Sequence, residues 1–255
     1  MNANTTYSPL IGTFDTYFTD ADNNPKTELL NLLNQSGNWN YDIVIIESAI
    51  GNGATHLLHG VFDEIEKQNR EATYIGGEAM FNSRKMYSTL LGEMKYKDET
   101  QINTEFFLLD GYHYIEASPN LFEQFIALAK PLIQRGIKIV VTSNIGYHPQ
   151  LANEFPNHAV ITTTFPISKK VWAKIIRKRI DEWEEGKSSV HLSMELKEKI
   201  IQGLLAKEYQ SVRIMQNTVI GLFATIAYKK TNLRNENVDS VLEKIIDYCH
   251  TASHK

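Results

Sequence analysis

Along the first two-thirds of the chain, short apolar runs alternate with stretches of helical spacing. The runs are Asp42-Ile43-Val44-Ile45-Ile46, Thr73-Tyr74-Ile75, Phe106-Phe107-Leu108-Leu109, Ile137-Lys138-Ile139-Val140-Val141 and Ala159-Val160-Ile161-Thr162. Most are continuous rather than alternating, the pattern of strands buried on both faces. Between them, Thr55 to Gln68 places Leu57, Leu58, Val61, Phe62 and Ile65 on one stripe. Asn120 to Arg135 does the same with Leu121, Phe125, Leu128, Leu132 and Ile133. Residues three and four apart share a face of an α-helix, so both stretches predict helices. Strands alternating with helices predict a parallel α/β sheet.

From about Pro166 the spacing is helical only. Ser168 is placed to cap a helix running to about Glu185, with Val171, Trp172, Ile175, Ile176, Ile180 and Trp183 inward. A side-chain oxygen at that position accepts from an otherwise orphaned backbone N–H. Gly186-Lys187-Ser188-Ser189 reads as a loop, and Ser193 caps a second helix with Leu196, Ile200 and Leu204 inward. A third helix is predicted from about Ser211 to Lys229 and a fourth from about Val238 to Cys249. No repeat, low-complexity tract or long linker interrupts the pattern.

Composition adds exclusions. The chain has 255 residues, a hydrophobic content of 42% and a formal net charge of −4, so bulk charge does not draw it to nucleic acid or anionic membrane. The single cysteine, Cys249, cannot form an internal disulfide, and no Cys/His set has zinc spacing. The polar N-terminus, Met1 to Tyr7, has no signal-peptide core. No apolar run approaches the roughly 20 residues that span a bilayer. These features lead to the expectation of a bacterial cytoplasmic protein with no membrane partner.

The candidate chemistry lies between the first predicted strand and helix, in Ser48-Ala49-Ile50-Gly51-Asn52-Gly53-Ala54-Thr55. A phosphate-binding loop in that setting reads G-x-x-x-x-G-K-[ST]. Here Ser48 stands at the first glycine, Gly53 at the second, Ala54 replaces the lysine and Thr55 keeps the hydroxyl. Amides of Gly51, Gly53 and the helix start can still form an anion nest. The missing ammonium removes charge-assisted contacts of roughly 1.5–3 kcal/mol, about ten- to a hundredfold in affinity. The bland and preferred reading of both glycines is a tight strand-to-helix turn kept for folding. Two further strands end in polar residues: one in Asp110 followed by Gly111, the other in Thr142-Ser143-Asn144. Phosphoryl-transfer sites hold Mg²⁺ with such an aspartate, but Gly111 has no carboxylate to orient a water. Ser211-Val212-Arg213 opens a helix and can aim a guanidinium at a cleft.

Together these segments resemble the AAA+ family, and within it the DnaA/Hda-like group of bacterial replication proteins. Thr13-Phe14-Asp15-Thr16-Tyr17-Phe18 is similar to the group's Phe-Asp-x-Phe lead-in. Gly51-Asn52-Gly53-Ala54-Thr55-His56-Leu57-Leu58-His59 is similar to its Gly-x-Gly-Lys-Thr-His-Leu-x-His, without the lysine. Leu109-Asp110-Gly111-Tyr112 stands where the group has its Walker B acids. Thr142-Ser143-Asn144 with Pro149 resembles sensor 1, and Arg213 matches the sensor 2 arginine. Where DnaA has an arginine-rich turn supplying its finger, Gln150 to His158 contains no arginine. Tyr7-Ser8-Pro9-Leu10-Ile11 stands in place of the clamp-binding peptide of Hda. The chain ends after the helical lid, so a helix-turn-helix DNA-binding domain is expected to be absent.

The resemblance implies an AAA+ P-loop NTPase-like five-stranded parallel sheet flanked by helices, over residues 1–165 with a lead-in at 1–24, then an all-helical lid over 166–255. It implies a vestigial nucleotide site at Gly51, Gly53, Thr55, Asp110, Asn144 and Arg213, with no catalytic or metal-ligating residue. The functional expectation is a pseudo-ATPase without resident cofactor. It would act as an adaptor or regulator of replication initiation on partners such as DnaA, the sliding clamp or helicase-loading factors. One alternative is a nucleotide-gated switch or weak ATPase holding ADP or ATP. Another is DNA binding through Lys169, Lys170, Lys174, Arg177 and Lys178, whose helix also ends in Asp181, Glu182, Glu184 and Glu185. For Asp110 a structural polar strand end competes with the site role; for Arg213 a salt bridge to Glu47 or Asp110 does. Tyr112, His113 and Tyr114 either fill the pocket or form a contact surface, and His56 and His59 read as packed or surface histidines.

Overall fold

Five strands pair side by side in the order β2-β3-β4-β1-β5, and every pairing is parallel. The structure, a computed structural model, describes residues 25–34, 40–76, 98–146, 148–163, 168–186, 192–228 and 238–253. The strands are Ile43–Ser48 (β1), Ala72–Ile75 (β2), Phe106–Leu109 (β3), Lys138–Asn144 (β4) and His158–Thr163 (β5). The helices among them are Pro25–Asn34 (α1), Ala54–Lys67 (α2), His113–Glu116 (α3), Pro119–Gln134 (α4) and Pro149–Glu154 (α5). A further four follow: Lys169–Gly186 (α6), Met194–Leu205 (α7), Val212–Tyr228 (α8) and Val238–Ser253 (α9).

The apolar runs explain the sheet. Ile43 to Ile46, Phe106 to Leu109 and Ile139 to Val141 have no exposed surface, as expected of central parallel strands covered on both faces. Side chains alternate between faces along a strand. One set, Ile43, Ile45, Phe107, Leu109, Ile139 and Val141, shares a core with Ile115 of α3, Phe125, Leu128 and Leu132 of α4, and Leu151 of α5. The opposite face meets α2, which buries Leu57, Leu58, Val61 and Ile65. The register Ser48↔Asn144 and Ile75↔Leu109 brings the strand ends to one edge. The turns after β1, β3 and β4 therefore lie together, the position where open α/β sheets bind ligands.

The chain divides into two compact units between Thr164 and Phe165. In the helical unit, three helices open on serine hydroxyls. Ser168 accepts from Val171 N–H at 3.3 Å, Ser193 from Leu196 N–H at 3.2 Å and Ser211 from Ile214 N–H at 3.3 Å. Val171, Trp172, Ile175, Ile176 and Ile180 of α6 are buried, and Trp183 stacks on Phe223 with ring centroids 4.7 Å apart. No helix among the described residues is long and apolar enough to cross a membrane. The segments Thr13 to Phe18 and Tyr7 to Ile11, expected to be lead-in and clamp peptide, lie outside the described residues, as do residues 187–189 of the expected loop. Helices α1, α3 and α5 are additions to the elements expected from the sequence.

Candidate functional site

The turn from β1 into α2 depends on two left-handed glycines. Gly51 has φ 82° and Gly53 φ 95°, a conformation that costs other L-residues roughly 1–2 kcal/mol. The Asn52 N–H donates back to the Ala49 carbonyl at 3.0 Å, and Asn52 is buried. Gly53 caps α2 without a side chain, so Ala54 and Thr55 are its first two helical residues.

Thr55 faces the end of β3. Its hydroxyl lies 3.1 and 2.9 Å from the two carboxylate oxygens of Asp110 and donates there. The Thr142 hydroxyl also donates to Asp110 and accepts the Gly111 N–H at 2.7 Å. The Tyr112 N–H donates to the Thr142 carbonyl at 2.8 Å, and the Tyr74 phenol reaches Asp110 at 3.5 Å. One carboxylate thus gathers hydroxyls from α2, β4 and β2. His59, half-buried on α2, sits over the Tyr74 ring at 4.4 Å, and burial holds its imidazole below its ordinary range.

Beside this group lies a second carboxylate, Glu47 of β1. It accepts the Gly146 N–H at 2.9 Å, and His148 Nδ1 stands 3.6 Å away. The Thr162 hydroxyl reaches it from β5 at 3.5 Å. Glu116 at the end of α3 accepts the Gln150 N–H at 3.0 Å, and burial pushes its carboxyl up. Tyr112 is fully buried against Phe125, ring centroids 5.5 Å apart, so this ring belongs to the core. Tyr114 is partly exposed and packs on His113, whose imidazole burial holds low.

Gly51, Gly53, Thr55, Asp110 and Asn144 therefore share one edge of the sheet, with Asn144 opposite Ser48 in register. Arg213 is exposed in the first turn of α8, in the helical unit. On α6, Lys169, Lys170 and Lys174 are exposed, Arg177 pairs with Glu198 at 2.9 Å, and Lys178 lies 3.9 Å from Glu182. For a triphosphate with its Mg²⁺, the glycine turns and the hydroxyl–carboxylate pair fit in position. The charge does not fit, because Ser48 to Thr55 include no cation.

The profile of the bacterial DnaA ATPase domain matches residues 11–164. The chain belongs to this family. DnaA, the chromosomal replication initiator protein, of Geobacter sulfurreducens is 23% identical over 245 residues, covering 92% of this chain and 52% of the relative. DnaA of Geobacter metallireducens is 23% identical over 246 residues, covering 92% of this chain and 51% of the relative. The chain thus spans about half the length of the curated DnaA relatives it matches. Domain III of the Thermotoga maritima replication initiation protein DnaA superposes with a TM-score of 0.63 at 17% identity, over 92% of this chain and 96% of that one. Caenorhabditis elegans PCH-2 gives a TM-score of 0.58 at 12% identity, over 97% of this chain and 72% of that one. These likenesses establish the AAA+ α/β fold with its helical C-terminal region.

Sequence reasoning did not single out Thr142 and Tyr74 as partners of Asp110, nor His148 and Gly146 as partners of Glu47. The polar end of β4 was the available signal for Thr142. Nothing local links Glu47 to residue 148; only the adjacency of β1 and β4 does.

Proposed function

We propose that this DnaA-family chain is a non-catalytic module that works in replication initiation through protein contacts. The observation that carries this reading is Ala54. The loop keeps its left-handed glycines and the Thr55–Asp110 contact, yet no cation lies between Ser48 and Thr55. Gly111 after Asp110 and the arginine-free stretch from Gln150 to His158 support the same reading. Arginine fingers alone account for about 10³–10⁵ in hydrolysis rate in P-loop NTPases. A subunit without lysine or finger can hold a place in an assembly without completing a hydrolytic site. Calorimetric titration with ADP and ATP, with and without Mg²⁺, is expected to give no saturable binding at micromolar concentrations. Size analysis of mixtures with DnaA, sliding clamp and helicase-loading factor is expected to reveal a complex with at least one. Submicromolar nucleotide binding, or no complex with any of them, would sink the reading.

One observation favours a second reading, a nucleotide-gated switch or weak ATPase. Thr55 and Asp110, the pair that would serve a metal ion, remain in direct contact. Under that reading, ATP binds below micromolar concentration and Arg213→Ala abolishes the binding. DNA binding through α6 is less favoured, because Arg177 and Lys178 already have acidic partners.

A further inference from the structure

The turn from β4 into α5 is held at two points by carboxylates from other elements. Glu47 of β1 accepts the Gly146 N–H at 2.9 Å, and Glu116 at the end of α3 accepts the Gln150 N–H at 3.0 Å. Between the two pinned amides in sequence stands His148, the residue that precedes α5. Its Nδ1 lies 3.6 Å from Glu47 Oε1, and the two side chains are only 17% and 16% exposed. That separation is too long for a hydrogen bond, and Nδ1 is buried without a hydrogen-bond partner. One oxygen of Glu116 is in the same condition. Buried polar atoms are nearly always paired, so two orphans around one turn call for a cause.

Charge supplies it. Burial pushes the Glu116 carboxyl up, and a positive charge on His148 acts against that push. An imidazole is the side chain whose ordinary titration lies nearest neutrality. When neutral, the ring cancels no charge on either carboxylate. When protonated, it carries an N–H on both nitrogens and sets a cation beside two anions. The other groups facing these carboxylates are neutral. They are the Thr162 hydroxyl from β5 beside Glu47, the Gln150 N–H from α5 and the Tyr112 phenol, which feels the Glu116 charge and is kept protonated by burial.

We propose that His148 is a proton-operated catch: charged, it draws Glu47 and Glu116 onto the turn between β4 and α5, and neutral, it lets that turn open. The catch tightens as pH falls through the ordinary imidazole range. It fails again in acid, where the carboxylates themselves take up protons. What it governs is the seat of α5, a helix of six residues tied at its other end by the Lys130–Glu154 pair at 2.8 Å. The catch operates whatever the loop after β1 binds.

The test follows the Gly146 and Gln150 amides of the full chain by NMR-detected hydrogen exchange, corrected for intrinsic chemistry. Protection of both, taken relative to Leu108 of β3, is expected to fall about fivefold between about pH 6 and about pH 8. His148→Gln, neutral at every pH, is expected to abolish the change, and Glu116→Gln to shrink it. A histidine with a packing role alone would lose protection on substitution and show no dependence on pH. Should His148→Gln fail to fold, the wild type still decides, because the Gly146 and Gln150 amide shifts must move in step with the His148 ring signals. Amides indifferent to pH in the wild type, the same pH dependence in His148→Gln, or amide shifts that ignore the ring overturn the proposal.

Discussion

Thr142 joins two interactions through one hydroxyl, giving its proton to Asp110 while taking the Gly111 N–H at 2.7 Å. Thr142→Val leaves a buried N–H and a carboxylate each short of a partner, at a cost of about 1–3 kcal/mol per unsatisfied group. The denaturant midpoint of the variant is expected to fall accordingly, with an unchanged slope. Ala54→Lys works in the other direction on function. It restores a cation to the loop and is expected to raise ADP and ATP affinity about ten- to a hundredfold, read by calorimetry. At the opposite edge, Arg70 donates to Glu105 through two nitrogens, and Lys138 lies 3.4 Å from the same carboxylate. The Arg70 side chain bonds hold the Glu105 carboxyl below its ordinary range. A depressed carboxyl contributes stability above its unfolded pKa of about 4.3 and loses it as pH falls through the lower folded value. Glu105→Gln is therefore expected to cost about 1 kcal/mol at neutral pH, the upper range for a partly exposed pair. The difference should vanish in acid, as urea titrations at several pH values would reveal. Of the site, the sequence discloses Thr55 and Asp110 because each sits at a strand or helix end. It conceals Thr142 and Tyr74 as their partners because those contacts arise only when β2, β3 and β4 are laid side by side.

Among the elements, the strands are legible because burial on both faces leaves few polar residues to break the run. The long helices are legible because three or four turns repeat the same stripe. Helices α3 and α5 have four and six residues, too short for a stripe to declare itself, and tertiary contacts hold them instead. Glu116 accepts the Gln150 N–H in the first turn of α5, and Lys130 pairs with Glu154 in its last at 2.8 Å. Serine caps are the clearest local signal in the second unit, and Ser168 and Ser193 both accept the N–H their positions call for. Ser193→Ala is expected to lower stability by about 1 kcal/mol, with Ser193→Asp retaining most of it, as measured by thermal melts. Helix α4 carries Pro131 in its interior, which costs an isolated helix about 3 kcal/mol; here the buried Leu128, Ala129 and Leu132 hold the turn in place.

On the scale of the whole molecule, the described residues 25–163 and 168–253 fall into two compact units. Cooperative unfolding belongs to single cores rather than to chains. Thr142→Val is therefore expected to shift the transition of the α/β unit, and Ser193→Ala that of the helical unit, as resolved by scanning calorimetry. The α/β class is legible from alternation alone, whereas the strand order is not, since β1 lies between β4 and β5 for reasons no local pattern carries. Two left-handed glycines in one short turn leave the junction of β1 and α2 little latitude: a β-carbon at Gly51 or Gly53 costs roughly 1–2 kcal/mol, a penalty that falls on folding whatever the loop binds.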